Sequence, residues 1–119
     1  MTTLNRKQNC VIMEVNRALT NNNSNSVYLR VAITEPILLT CIDGASLSEI
    51  YLCVQKTTPA TELAVRNYLY HLVNSVLVSY KGLMKMFFIT PRGLDMLEII
   101  YYQRQRGVMN YSALTIKIE

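Results

Sequence analysis

The chain has 119 residues, half of them hydrophobic, with 12 basic and 8 acidic side chains and a formal net charge of +4. This length suits one domain with one hydrophobic core, and the apolar content excludes a disordered chain. The mild excess of positive charge is compatible with a nucleic-acid partner, but a solvated surface often carries as much.

Cysteine and histidine usage argues against metal, disulfide and catalytic chemistry. Cys10, Cys41 and Cys53 are odd in number and widely spaced, which speaks against a disulfide framework and a structural zinc site. We expect all three thiols to be free, with Cys41 and Cys53 as small core residues in a reducing compartment. His71 is the only histidine, and no glycine-rich phosphate loop occurs. We therefore predict no enzyme activity, no metal and no cofactor.

Targeting signals are missing from the N-terminal residues. Residues 1–8 are polar, and the apolar stretch at 10–15 is short and contains Glu14. No uncharged apolar run approaches the length that spans a bilayer. These observations predict a cytoplasmic protein without a membrane partner.

The first predicted elements form an appendage. Residues 4–19 have helical apolar spacing, with Val11, Val15, Ala18 and Leu19 on one side. Residues 21–26 are an Asn/Ser-rich linker that cannot bury surface. We therefore divide the chain into a helical extension and linker at 1–26, a main domain at 27–106 and a strand-like tail at 107–119.

The main domain opens with a strand and a helix. Residues 27–33 have strand-like content. Thr34 then suits the cap of a helix with Pro36 in its first turn, and Asp43 and Gly44 suit its end.

Two amphipathic helices follow across a tight turn, which is a helix-turn-helix arrangement. Ser46 and Glu49 have capping-box spacing, and Pro59 suits the first position of the second helix. The buried stripes are expected to be Leu47, Ile50, Tyr51 and Val54 on the first helix, and Val65, Leu69, Leu72 and Val73 on the second.

A hairpin and a last helix complete the predicted domain. Residues 76–80 and 83–90 read as two strands around a two-residue turn at Lys81 and Gly82. Thr90 suits the cap of a helix with Pro91 at its first position, and Gly107 suits its end. Residues 111–118 alternate as in a strand.

Two segments carry a family resemblance. Residues 65–73 read Val-Arg-Asn-Tyr-Leu-Tyr-His-Leu-Val, and residues 89–97 read Ile-Thr-Pro-Arg-Gly-Leu-Asp-Met-Leu. In this order and at this separation they resemble the recognition helix and the exit from the wing in the winged helix-turn-helix domain of small prokaryotic transcription regulators. The match covers roughly residues 34–104. It implies a mainly α fold with a small β-hairpin wing, in the α+β class.

Two departures from the family pattern stand out. Asn74 and Ser75 fill the junction where the family commonly has glycine, and Asn tolerates the left-handed conformation that glycine supplies. The wing is short, with Lys81 and Gly82 at its tip.

The resemblance implies sequence-specific binding of double-stranded DNA by a transcription regulator. Arg66 suits guanine, Asn67 suits adenine, and Glu62 suits a cytosine amino group. Thr61 and Tyr70 of the helix suit phosphate oxygens. Lys81 and Lys85 of the wing suit phosphate or minor-groove contact, and Arg92 would add to the DNA contacts from the start of the last helix.

A plainer interpretation remains open. Exposed polar residues on an amphipathic helix are usually just solvated, and Arg66 with Glu62 is an ordinary i,i+4 pair. The alternative function is a winged-helix module that binds protein without DNA. Clustering of the basic residues on one face would favour DNA, and a contiguous apolar patch there would favour protein.

The last helix is apolar on two sides, so it needs a second partner surface. We expect the side of Leu94, Leu97 and Tyr101 to face the core. The remaining apolar residues then predict a homodimer interface made by Met96, Ile99, Ile100 and Tyr102. The rival explanation is that the N-terminal segment folds back over this side. The sequence names no effector.

Overall fold

Four helices and two small antiparallel sheets occur where the computed structural model describes the chain, which is residues 27–106 and 114–118 in full and 11–15 as backbone. The helices are α1 (Val31–Thr40), α2 (Leu47–Gln55), α3 (Glu62–Asn74) and α4 (Pro91–Arg106). The strands are β1 (Val11–Val15), β2 (Val27–Arg30), β3 (Val78–Lys81), β4 (Met86–Ile89) and β5 (Leu114–Ile118). The predicted α+β class is confirmed.

The larger sheet joins distant parts of the chain in the order β1–β5–β2. Both pairings are antiparallel, and Val11 and Val27 each lie opposite Ile118. β5 contributes Leu114, Ile116 and Ile118 to the hydrophobic core. The strand predicted at 111–118 is confirmed over Leu114–Ile118, but it is the central strand of a sheet rather than a tail outside the domain.

The helix predicted over residues 4–19 is wrong where the chain is described, because Val11–Val15 is strand β1. Val11, Met13 and Val15 also alternate as in a strand, and the β5 partner that selects this conformation lies at the other end of the sequence. The Asn/Ser-rich linker at 21–26 and the remainder of the extension lie outside the described residues.

Helix α1 begins earlier than its sequence signals suggested. It starts at Val31 after Arg30, which makes no side-chain cap, so Thr34 is a buried residue inside the helix instead of its cap. Pro36 also lies inside the helix. Proline has no N–H to give the Ala32 carbonyl one turn earlier, and the Thr58 hydroxyl donates to that carbonyl at 3.4 Å. The start was missed because burial outweighed the local capping pattern.

The core lies around α1, which packs against α2, α4 and β5. The fully buried side chains include Val31, Ile37, Leu38, Ile50, Val54, Val65, Leu72, Ile100 and Ile116. The predicted stripes of α2 and α3 are therefore confirmed at Ile50, Val54, Val65, Leu69 and Leu72, and the rest of both stripes is half-buried.

Helix α4 is rotated from the expected orientation. Leu97, on the expected side, is half-buried and packs against the core. Met96 and Ile100 are almost fully buried, whereas Leu94 and Tyr101 are about half exposed, at 47% and 57%. Ile99 is also buried, so three of the four residues expected at a dimer interface belong to the chain's own core, and only Tyr102 is exposed. Apolar spacing alone could not choose between two apolar sides.

An ion pair links α4 to α1. Arg104 Nη2 lies 2.7 Å from Oε1 of the nearly buried Glu35. A carboxylate this buried needs compensating partners, and Arg104 supplies a cationic one from the last turns of α4.

The hairpin, here called the ribbon, comprises β3, the turn at residues 82–85, and β4. The turn has four residues instead of the expected two, because Lys81 pairs with Met86. After α3 the positive φ of 63° falls on Val76, not on Asn74, although a β-branched side chain is costly there. A single bridge also pairs Ala45, between α1 and α2, with Phe87 of the ribbon.

Candidate nucleic-acid interface

Two capped helices carry the expected DNA-contacting residues. The predicted capping box begins α2: Ser46 Oγ accepts from the Glu49 N–H, and Glu49 Oε1 accepts from the Ser46 N–H. Helix α3 begins at Glu62 rather than at Pro59, because the Thr61 hydroxyl accepts from the Ala64 N–H at 3.0 Å. The Thr61 oxygen therefore serves as a helix cap, and its hydrogen remains free to donate to a phosphate.

The exposed side of α3 matches the sequence expectation. Glu62, Arg66, Asn67, Tyr70 and Asn74 are all exposed. Arg66 Nη2 lies 3.6 Å from Glu62 Oε2, with the two side chains 60% and 55% exposed. A pair so open to solvent contributes only a few tenths of a kcal/mol, about 0.3–0.5 for this helical spacing. The guanidinium can therefore leave Glu62 for a stronger acceptor at little cost.

An open groove of about 710 Å³, here called the α3–ribbon groove, lies between α3, the first turn of α2 and the ribbon. Arg66 and Tyr70 stand on its α3 side, and Lys85 stands on its ribbon side. Its remaining lining is mostly apolar, formed by Ser46, Leu47, Ser48, Glu62, Leu69, Val73, Tyr80 and Phe87.

The two faces of the ribbon have different surroundings. Tyr80 and Phe87 are cross-strand neighbours with ring centroids 4.7 Å apart, and both line the groove. Lys81 pairs with Met86 on the other face, because side chains alternate along a strand. Its Nζ lies 5.7 Å from the centroid of the Phe88 ring. Lys81 and Lys85 therefore do not share one face, contrary to the clustering that would favour DNA most simply.

The Thr-Pro-Arg-Gly segment fastens α4 to the end of α3. The Thr90 hydroxyl accepts from the Gly93 N–H at 3.0 Å and donates to the Val76 carbonyl at 2.7 Å. Arg92 Nε donates to the Ser75 carbonyl at 3.1 Å. Gly93 is buried, and a Cβ on it would collide with the Leu77 carbonyl oxygen. The cap at Thr90 is confirmed, and the Arg92 hydrogen bond ties the start of α4 to the α3–β3 junction.

The structure thus brings together half of the expected DNA-contacting residues. Glu62, Arg66, Tyr70 and Lys85 line one groove, while Thr61 and Asn67 lie beside it on α3. The apolar lining of the groove, in particular Tyr80 and Phe87, was not predicted from the sequence. Their strand alternation was a usable signal, but the side that faces α3 depends on the fold.

Metal and thiol chemistry find no support in the described residues. None of their His, Cys, Asp and Glu side chains form a group of three or more that could hold a metal ion. Cys41 and Cys53 are free thiols, and Cys10 lies outside the described residues. Burial raises the pKa of Cys41 from 9.0 to about 12.

Within residues 27–106, no helix is both long and apolar enough to cross a membrane. Comparisons with protein-family models, curated proteins and solved structures found no match for this chain. Any functional assignment therefore rests on the chain's own residues and geometry.

Proposed function

We propose that the protein is a winged helix-turn-helix transcription regulator that binds double-stranded DNA. The observation that carries this proposal is the α3–ribbon groove, where the polar side of α3 and Lys85 of the ribbon stand on opposite walls. In this interpretation α2 and α3 form the helix-turn-helix pair, α3 enters the major groove, and the ribbon serves as the wing.

The chemistry of α3 suits readout of base edges. Arg66 is exposed, and solvent screens its ion pair with Glu62. Its guanidinium can therefore turn two N–H donors toward guanine O6 and N7. Asn67, which is also exposed, can pair with adenine. Lys85, Tyr70 and the Thr61 hydroxyl can contact phosphates, which position the protein without reading sequence.

Selection of duplexes from a random pool tests this function. Arg66→Ala should weaken binding at a selected site by about 1–3 kcal/mol and relax the preference at one base pair. Lys56→Ala is the charge-matched control, because Lys56 follows the end of α2 remote from the groove. Equal losses of duplex affinity in both variants would show that only net charge matters. Failure to enrich any duplex would refute the proposal.

A second candidate is supported by the apolar lining of the groove. Leu47, Val73 and Phe87 are half-buried there beside the exposed Tyr80, and such a surface suits the apolar side chains of a protein partner. Selection of peptides from a display library tests this candidate. If the wild type binds the selected peptides, Tyr80→Ala does not, and no duplex is bound, the protein-binding function replaces the first proposal.

We also propose a homodimer, because two-fold symmetric regulators present two reading helices to one DNA face. The surface of α4 proposed for pairing keeps only Tyr102 of the four residues expected from the sequence. It now consists of Leu94, Tyr101 and Tyr102, which are 47–62% exposed. Sedimentation at micromolar concentration should show a dimer for the wild type and a monomer for Leu94→Glu/Tyr101→Glu. A monomeric wild type refutes the dimer.

A further inference from the structure

The tip of the ribbon presents apolar side chains to water. Leu83 is fully exposed and Met84 is 55% exposed. Two backbone hydrogen bonds of 3.2 Å order the turn, from the Met84 N–H to the Lys81 carbonyl and from the Lys85 N–H to the Gly82 carbonyl. The two side chains are therefore displayed by a defined backbone.

The charges beside the tip distinguish it from an ordinary exposed leucine, which by itself needs no explanation. Lys81 and Lys85 flank the apolar pair, and both are exposed. Lys85 adopts a φ of 56°, which is an uncommon conformation for a lysine and one that glycine would adopt freely. The tip is thus an apolar point between two cations.

The minor groove of DNA has the complementary arrangement. This groove is about 6 Å wide, two rows of phosphates border it, and the edges of the stacked bases form its floor. Proteins that bend DNA insert Leu, Met and similar side chains between base steps there, which partly unstacks the bases and kinks the duplex. Lysines on either side of such a wedge meet the phosphates.

The geometry points to Leu83, with Met84 beside it, as a minor-groove wedge that kinks the bound duplex by roughly 20–90°. This inference rests on the proposed DNA binding. One sugar–phosphate backbone separates neighbouring grooves of B-DNA. With α3 in the major groove, that backbone would meet Tyr70 and Lys85 across the α3–ribbon groove. The tip would then enter the adjoining minor groove.

The experiment uses the full chain and a selected duplex. Duplexes carrying 2-aminopurine at successive steps beside the α3 site report unstacking, and end-to-end energy transfer reports bending. With the wild type we expect the fluorescence of 2-aminopurine to rise severalfold at one step, and the distance between the two duplex ends to shorten. Leu83→Ala should bind with less than about tenfold loss, because unstacking no longer opposes binding, and should leave the duplex straight. Leu52→Ala removes an exposed leucine from α2 and should behave as the wild type.

The outcomes separate this inference from the proposed function. A wild-type complex with straight DNA, or an equal bend with Leu83→Ala, overturns the wedge and leaves DNA binding intact. Absence of any duplex complex overturns both. If the bound DNA is straight, and the wild type but not Leu83→Ala co-sediments with vesicles of anionic phospholipid, the wedge is overturned in favour of a lipid surface.

Discussion

Cys41 shows how burial alone sets the chemistry of one residue. The thiol follows α1 with no exposed surface, and desolvation raises its pKa to about 12. The folded protein therefore holds this proton when the unfolded chain, with a pKa of 9.0, releases it. Its contribution to stability is fully present below about pH 9 and is lost as the pH rises from there toward 12.

Thiol labelling at pH 8 tests this environment. A Cys10→Ser/Cys53→Ser variant, which keeps only Cys41, should resist a thiol-reactive disulfide reagent in buffer and react fully in denaturant. A Cys10→Ser/Cys41→Ala variant keeps the half-buried Cys53 and should react faster in buffer. Rapid labelling of Cys41 in the native protein would contradict its placement in the core.

The start of α4 shows how a short sequence motif acts on a neighbouring element. Thr90, Arg92 and Gly93 connect this helix to the α3–β3 junction through two side-chain hydrogen bonds and one close backbone contact. The position of the ribbon relative to α3, and therefore the shape of the groove, depends on these connections.

A pair of glycine variants tests this connection. Helix propensity alone would make Gly93→Ala stabilising by about 1 kcal/mol. Because its Cβ would collide with the Leu77 carbonyl and the Ile89 side chain, we expect instead a loss of about 1–3 kcal/mol in the free energy of unfolding. Gly82→Ala is the control, since its Cβ would meet only Tyr80 at 3.9 Å. Denaturant unfolding measures both, and an unchanged or more stable Gly93→Ala protein would contradict the packing.

Elements encoded in short windows could be predicted, whereas elements selected by distant partners could not. The Ser46–Glu49 capping box and the Thr90 cap are local and were found. Strand β1 depends on its pairing with the distant β5. The first turn of α1 and the buried side of α4 depend on burial in the core, which no local pattern reveals. The polar side of α3 was predictable for the same local reason, and the apolar lining of its groove was not.

Strand β5 belongs to the main domain, which therefore extends beyond the boundary expected at residue 106. It is the central strand of the larger sheet, so a chain that stops at Arg106 loses both pairings and three core side chains. We expect that truncated chain to show no cooperative thermal transition. Ile116→Ala should cost about 2–5 kcal/mol, since Ile116 is fully buried, whereas the exposed Leu52→Ala should change little. A truncated chain that melts like the wild type would restore the boundary at residue 106.

The salt dependence of duplex binding shows whether the α3–ribbon groove contacts DNA phosphates. Each phosphate contact releases counterions, so the logarithm of the binding constant should fall linearly with the logarithm of salt concentration. Lys85→Ala should reduce this slope by about one unit for each bound subunit, whereas Lys56→Ala should leave it unchanged. Fluorescence anisotropy of a labelled duplex gives the slopes. A binding constant that falls with salt, and a slope that Lys85→Ala reduces while Lys56→Ala does not, support a DNA interface at the α3–ribbon groove. Absence of duplex binding even at low salt would contradict it.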